Sequence, residues 1–239
     1  MVNNVIHFKA IGDVHVVKNN RARSLRISVR PKLGVRVTIP RGVTLNDALK
    51  FVDQKTDWIK AALEKMKEIE GKVTVFMPGV EFNTFTHKLE FEKNTELPLK
   101  AKIGVGYIKV FYPDENVLLD EQGQEFVKKT IEYTLRKEAK KYLPVRTAFL
   151  AERHGLKYKD LRVKNLKSRW GSCSAANNIN LNIHLMRLPE LLIDYVILHE
   201  LAHTVHKNHG KGFWQMLENL SGNAKLLAKQ MKSYRTTVY

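Results

Sequence analysis

Apolar positions along the chain change period several times, and each change predicts a change of element. In "SLRISVRPKLGVRVTIP", Leu25, Ile27 and Val29 alternate with Arg26, Ser28 and Arg30, and then Val35, Val37 and Ile39 alternate with Arg36 and Thr38. A period of two predicts strands, and the intervening "PKLG" predicts the turn of a hairpin with its apolar face inward and its arginine face outward. From Thr44 to Glu70 the spacing becomes three to four, through Leu45, Ala48, Leu49, Val52, Ile59, Ala62, Leu63, Met66 and Ile69. That predicts one long helix over about 44–70, or a bent pair, with Thr44 as N-cap, an acidic residue three positions on and Gly71 as the stop. Trp58 is expected to pack in its interface. Residues 72–112 return to short alternating stretches divided by Pro-Gly, Asn and Gly, as in a small antiparallel sheet.

The polar, turn-rich "PDENVLLDEQGQE" predicts a domain boundary near residues 113–122, which gives a β-rich N-terminal region (1–115) and a second domain (116–239). From Glu125 to Arg153, Phe126, Ile131, Leu135, Ala139, Tyr142 and Leu143 trace a helical stripe, expected to kink or divide at Pro144 and to stop at Gly155. Residues 161–185 read as strands around the turn "SAANN". In the second, Ile179, Leu181, Ile183 and Leu185 alternate with Asn180, Asn182 and His184, so one face is polar throughout. Pro189 is expected to open a helix, and "GKGFWQMLENL" and "SGNAKLLAKQMKSY" predict two more. The fold class is α+β, with helices packed on a small antiparallel sheet.

Composition narrows the setting. A chain of 239 residues with 44% hydrophobic content can build a real core. No apolar run approaches the roughly 20 residues that span a bilayer, so no membrane is expected, and the N-terminus lacks the pattern of a signal peptide. Cys173 is the only cysteine, which excludes a disulfide framework and a Cys-rich zinc ribbon and favours a cytoplasmic address. The net charge is +17, shared between residues 1–119 (20 Lys/Arg, 13 Asp/Glu) and 120–239 (21 and 11). Such a surface favours nucleic acid or another polyanion, and the basic N-terminal hairpin is the natural place for it.

The chemistry concentrates in "ILHELAHTVHKNHGKGFW", residues 197–214, where four histidines and a glutamate interrupt an otherwise apolar run. Buried polar groups need partners, so their convergence suggests a shared metal ion. On a helix His199 and His203 lie one turn apart on one face, while Glu200 points sideways, out of the tetrahedron but within reach of a water beside the metal. A hydrolytic zinc site needs a third ligand and one open position. His206 on a continuing helix would sit two turns from His199, too far along. His209 is reachable if the helix ends and the chain folds back, a turn that Asn208 and Gly210 permit by tolerating left-handed backbone. His206 is then left to bond a neighbouring backbone group or to donate to a developing oxyanion. Glu200 is the expected general base of a zinc-dependent hydrolase acting on a peptide or protein substrate.

The stretch "SRWGSCSAANNINLNIHLMRLPELLIDYVILHELAHTVHKNHGKGFW" resembles the YgjP-like zinc metallopeptidase family, related to the WLM and SprT zincins, from about Leu161 to the C-terminus, and the "RARSLRISVR" hairpin resembles that family's N-terminal part. The resemblance implies a zincin-like metallopeptidase domain with Zn2+ on His199, His203 and His209 and Glu200 as catalytic base. The third-histidine spacing is also similar to that of metzincins, but His206 stands at their glycine position. The strands near "SRWGSC" and "NINLNIH" are the edges on which an extended peptide could add. Arg169, Trp170, Asn180, Asn182 and His206 are the substrate-binding candidates, with Ser172 beside them. Cys173 is expected to be packed, and Asp194 and Glu218 are candidate partners for the imidazoles. Two other functions compete: a metal-dependent nucleotide or phosphoester hydrolase, and a nucleic-acid-associated protein with a non-catalytic metal site.

Overall fold

The computed structural model describes residues 3–19, 21–30, 34–70 and 74–236, and its contacts divide the chain into two compact units, residues 1–73 and 74–239. In the first unit, strands β1 (Asn3–Phe8), β2 (Gly12–Lys18), β3 (Arg26–Arg30) and β4 (Gly34–Ile39) form one sheet in the order β1-β2-β4-β3. β3 and β4 pair antiparallel, with Ile27 opposite Val37 and Ser28 opposite Arg36. The alternation does what its period requires: Val35, Val37 and Ile39 are buried, while Arg26 and Arg36 are exposed. The expected "PKLG" turn includes residues 31–33, and the expected Gly71 stop is residue 71; both lie outside the described residues.

The predicted helix over 44–70 is two helices, α1 (Leu45–Gln54) and α2 (Thr56–Glu70), separated at Lys55. Thr44 caps α1 as expected. Its hydroxyl accepts from the Asp47 N–H at 3.1 Å, and the Asp47 carboxylate accepts from the Thr44 N–H at 3.3 Å. Ala48, Val52 and Ile59 close this unit's core against the sheet. Trp58 departs from expectation: it is 53% exposed, because its neighbour Ile59 takes the inward position on α2.

The second unit contains two three-stranded sheets. β5 (Lys88–Lys93), β7 (Tyr107–Tyr112) and β6 (Lys100–Gly104) lie in the order β5-β7-β6, and β8 (Asp160–Lys164), β10 (Asn178–Asn182) and β9 (Gly171–Cys173) in the order β8-β10-β9. Both are mixed rather than antiparallel, since β5 runs parallel to β7 and β8 parallel to β10. The helices are α3 (Glu115–Leu119), α4 (Glu121–Arg153), α5 (Glu190–Ala202), α6 (Lys211–Ser221) and α7 (Ala224–Met231). Pro144 lies inside α4 without dividing it. Gly222, at φ +75°, supplies the left-handed residue that ends α6 before α7.

No boundary falls at 113–122. The polar residues there are helix caps, Asp114 for α3 and Asp120 for α4, while Leu118 between them is fully buried. Gln124 clamps the Phe76 backbone, accepting from its N–H at 2.9 Å and donating to its carbonyl at 2.8 Å. Ile108, Val110 and Tyr112 share one core with Ile131, Leu135 and the buried residues of α5. The first sheet of this unit therefore belongs with the helices that follow it, and contact density places the division between residues 73 and 74. Among the described residues no helix is long and apolar enough to cross a membrane.

Candidate metal centre

Helix α5 is apolar on nearly every side: Leu192, Ile193, Tyr195, Val196, Ile197, Leu198, Leu201 and Ala202 are all buried. A helix enclosed in this way holds its polar side chains in fixed directions. Pro189 stands one position before the first helical residue, where its missing N–H costs nothing. At the other end α5 stops at Ala202. The N–H groups of Val205 and His206 both bond the Ala202 carbonyl, at 3.1 and 2.9 Å, and the chain turns back toward α6. The reversal does not use left-handed backbone: Gly210 has φ −71°, and Asn208 is not among the residues of positive φ. Asn208 helps instead by accepting from the Gly210 N–H at 3.4 Å.

That turn brings three imidazoles together. One ring nitrogen from each of His199, His203 and His209 lies within 4.8 Å of the other two. His199 Nε2 and His209 Nε2 are 3.0 Å apart, close to the roughly 3.3 Å expected of two nitrogens bound tetrahedrally at 2.0–2.1 Å to one zinc ion. His203 Nδ1 lies 2.9 Å from the His206 carbonyl oxygen. A carbonyl can only accept, so Nδ1 carries the proton and Nε2 keeps its lone pair. Burial, reinforced by the neighbouring imidazoles, lowers the His199 pKa to about 4; burial also lowers that of His203. Both rings are thereby held in the neutral form that a metal ligand requires. Three converging imidazoles, two of them kept neutral and one with its free nitrogen turned inward by the His206 carbonyl, suit a divalent ion of the zinc type.

Beneath the cluster lies a residue that the sequence reading missed. Phe213, buried on α6, has its ring centroid 4.9 Å from that of His199, 4.5 Å from His203 and 4.6 Å from His209, stacked on His203 at 28°. It forms an apolar floor that all three imidazoles touch. Its signal was an aromatic four residues after His209, on the same side of the turn, but nothing in its spacing alone links it to His199.

Glu200 is 6% exposed. Burial pushes its pKa up to about 8, opposed by the Arg169 guanidinium. Its carboxyl group packs against the backbone of Gly171 so closely that a Cβ there would lie 2.6 Å from Oε1 and 2.7 Å from Cγ. Strand β9 thus needs glycine at this point. Arg169, Trp170, Gly171, Tyr195, Val196, His199, Glu200, Ala228 and Met231 line a cavity of about 320 Å³ that adjoins the carboxyl group and the first imidazole.

The substrate-binding candidates separate into two groups. Arg169 and Trp170 lie on the cavity; Trp170 also packs on the core, with the Arg187 guanidinium 5.9 Å from its ring centre. Asn182 does not face it. The side chain is fully buried and donates to the carbonyls of Leu166 at 2.7 Å and Arg169 at 2.8 Å, while its oxygen accepts from the N–H groups of Leu166 and His184. It holds the loop that carries Arg169. Asn180 donates to Ser172 across the β9–β10 pair at 3.2 Å. The strand with the expected polar face ends at Asn182, after which residues Ile183–Arg187 form a 3-10 turn, and His184 is buried. The His206 ring lies over Gly212, and this residue reaches the imidazole cluster through its carbonyl. Cys173 is partly buried, with its thiol pKa raised by that burial. Asp194 and Glu218 serve other partners than the imidazoles: Asp194 takes a two-pronged bond from Arg146 on α4, at 2.7 and 2.5 Å, and Glu218 accepts from the Ala224 N–H at the start of α7.

A family model described as "YgjP-like, metallopeptidase domain" matches residues 23–234. Among solved structures, the metallopeptidase zymogen jannalysin of Methanocaldococcus jannaschii is 23% identical over 38% of this chain and 93% of its own, with a TM-score of 0.34. The metallopeptidase zymogen abylysin of Pyrococcus abyssi is 24% identical over 38% of this chain and 92% of its own, also at 0.34. No curated protein matches the chain significantly.

Proposed function

The chain belongs to the YgjP-like metallopeptidase family, and on that premise we propose that it is a zinc-dependent peptidase in which His199, His203 and His209 hold the ion and Glu200 is the general base. The observation that carries this reading is the meeting of three imidazole nitrogens within 4.8 Å, beside a buried carboxyl group at the wall of a cavity. When bound, zinc supplies a Lewis acid that polarises the scissile carbonyl and acidifies water. The protein's own groups do the rest. Glu200, made strongly basic by burial and drawn back toward ionisation by nearby positive charge, takes the proton of the attacking water and returns it to the leaving amine. The backbone of Gly171 sets where that carboxyl group can stand.

The substrate is a peptide in extended form. β9 pairs with β10 on one side only and forms the edge of its sheet next to the cavity, so its outer edge can accept a further strand. Arg169, exposed at the cavity with its charge felt at Glu200, is placed to receive a substrate carboxylate.

The test is to measure metal content and hydrolysis on the full chain, with peptide and nucleoside triphosphate substrates side by side. Peptide cleavage is expected to be abolished by a chelator, restored by zinc, and lost in Glu200→Gln with metal retained. Chelator-sensitive triphosphate hydrolysis without peptide cleavage would transfer the same residues to a phosphoester substrate.

A further inference from the structure

The positive charge of the first unit is segregated. Residues 1–44 carry nine Lys/Arg against a single acid, Asp13, whereas residues 45–70 carry six acids against five lysines. Asp13 is already engaged, 2.8 Å from the His7 ring. The first acid of the helices, Asp47, has its carboxylate turned to the cap of α1. The sheet therefore holds nearly all of this unit's excess charge.

Topology then concentrates it. β2 runs parallel to β4, and β3 antiparallel to β4, so the ends of β2 and β4 and the beginning of β3 lie at the same end of the sheet. Lys18, Arg21, Arg23, Arg26 and Arg41 all fall at or beside that end, and all are exposed. Arg36 extends the cluster along the outer face, diagonal to Arg26, since Arg26 stands opposite Thr38 and Arg36 opposite Ser28. Diagonal neighbours of this kind lie on the order of 7–8 Å apart. No acid occupies residues 14–46, so nothing within that segment neutralises the group.

The geometry points to this basic end of the sheet as a surface that binds the phosphate backbone of duplex nucleic acid. Arg26 and Arg36 share the outer face of the sheet, and Lys18, Arg21, Arg23 and Arg41 stand exposed at the strand end and in the connections beside them, a spread that can meet successive phosphates, whose oxygens arginine bonds with two parallel N–H groups. The sequence of residues 14–46 contains no tryptophan, tyrosine or phenylalanine on which bases could stack, so the contact is with backbone and independent of sequence. The inference stands apart from the zinc site, which lies wholly in the other unit.

The test uses the full chain and two unrelated 20-base-pair DNA duplexes, with fluorescence anisotropy read between about 50 and 200 mM salt. Both duplexes are expected to bind equally, and log K should fall linearly with log salt, with a slope as steep as about −5 if six cations engage. The paired substitution Arg23→Ala and Arg26→Ala is expected to weaken binding about tenfold or more and to reduce the slope by about two, while Arg23→Lys and Arg26→Lys retain it. Both positions are exposed, and thermal melting should be unchanged. Absence of binding at 50 mM salt overturns the proposal, as does an equal loss on removing two exposed cations of the other unit by Lys157→Ala and Lys159→Ala. Equally effective competition by polyglutamate would reassign the surface to an acidic protein.

Discussion

Glycine at 171 and phenylalanine at 213 do as much to define the centre as the groups that carry its chemistry. A methyl group at position 171 would press on the Glu200 carboxyl at 2.6 Å, inside any normal contact. Gly171→Ala is therefore expected to lower kcat on the order of 100-fold, with metal content unchanged, as activity and elemental analysis on the same sample would show. Buried histidine sets a pH limit. His184, 2% exposed, has its pKa lowered to about 4 by burial and by Arg187, against 6.5 in the unfolded chain. Between these values the unfolded state binds more protons, so the contribution of this residue is complete above pH 6.5 and declines as pH falls toward 4, by up to about 3 kcal/mol. Denaturant midpoints at pH 7 and 4.5 should show a smaller difference in His184→Gln. At this scale the sequence was most legible where helical geometry alone decides: His199 and His203 share a face because they are four residues apart. His209 needed a turn whose backbone differs from the left-handed one expected. Phe213 and the burial of Asn182 were not legible, because both depend on contacts between elements distant in sequence.

Among elements, the loop between β8 and β9 shows how a single buried side chain can stand in for secondary structure. Asn182, at the end of β10, bonds Leu166 and Arg169 from inside the protein and so fixes the segment that leads into Gly171. Asn182→Ala would strand the Leu166 and Arg169 carbonyls without these partners. A loss of at least about 2 kcal/mol is expected in urea unfolding, together with reduced activity, since the same loop bears Arg169. The strands β3 and β4 and the helices α5 to α7 were legible from period and punctuation. The parallel pairings β5 with β7 and β8 with β10 were not, because alternation reports which face is buried and says nothing of strand direction. The polar run at 113–122 read as a linker for a related reason: Asp and Asn cap helices as readily as they populate loops.

For the whole molecule, the division between residues 73 and 74 separates two cores, one closed by Val35, Val37, Ala48, Val52 and Ile59, the other running from Phe76 to Met231. A chain of residues 74–239 is expected to fold cooperatively and to keep zinc-dependent peptidase activity, whereas one starting at residue 116, which removes Phe76, Ile108 and Val110 from the core, should not fold; circular dichroism melting of the two fragments would decide. The bond from His203 to the His206 carbonyl has an evolutionary corollary. Its acceptor is a main-chain atom, which every amino acid supplies, so substitution at position 206 leaves the imidazole's proton where it is, and that position can drift without disarming the enzyme.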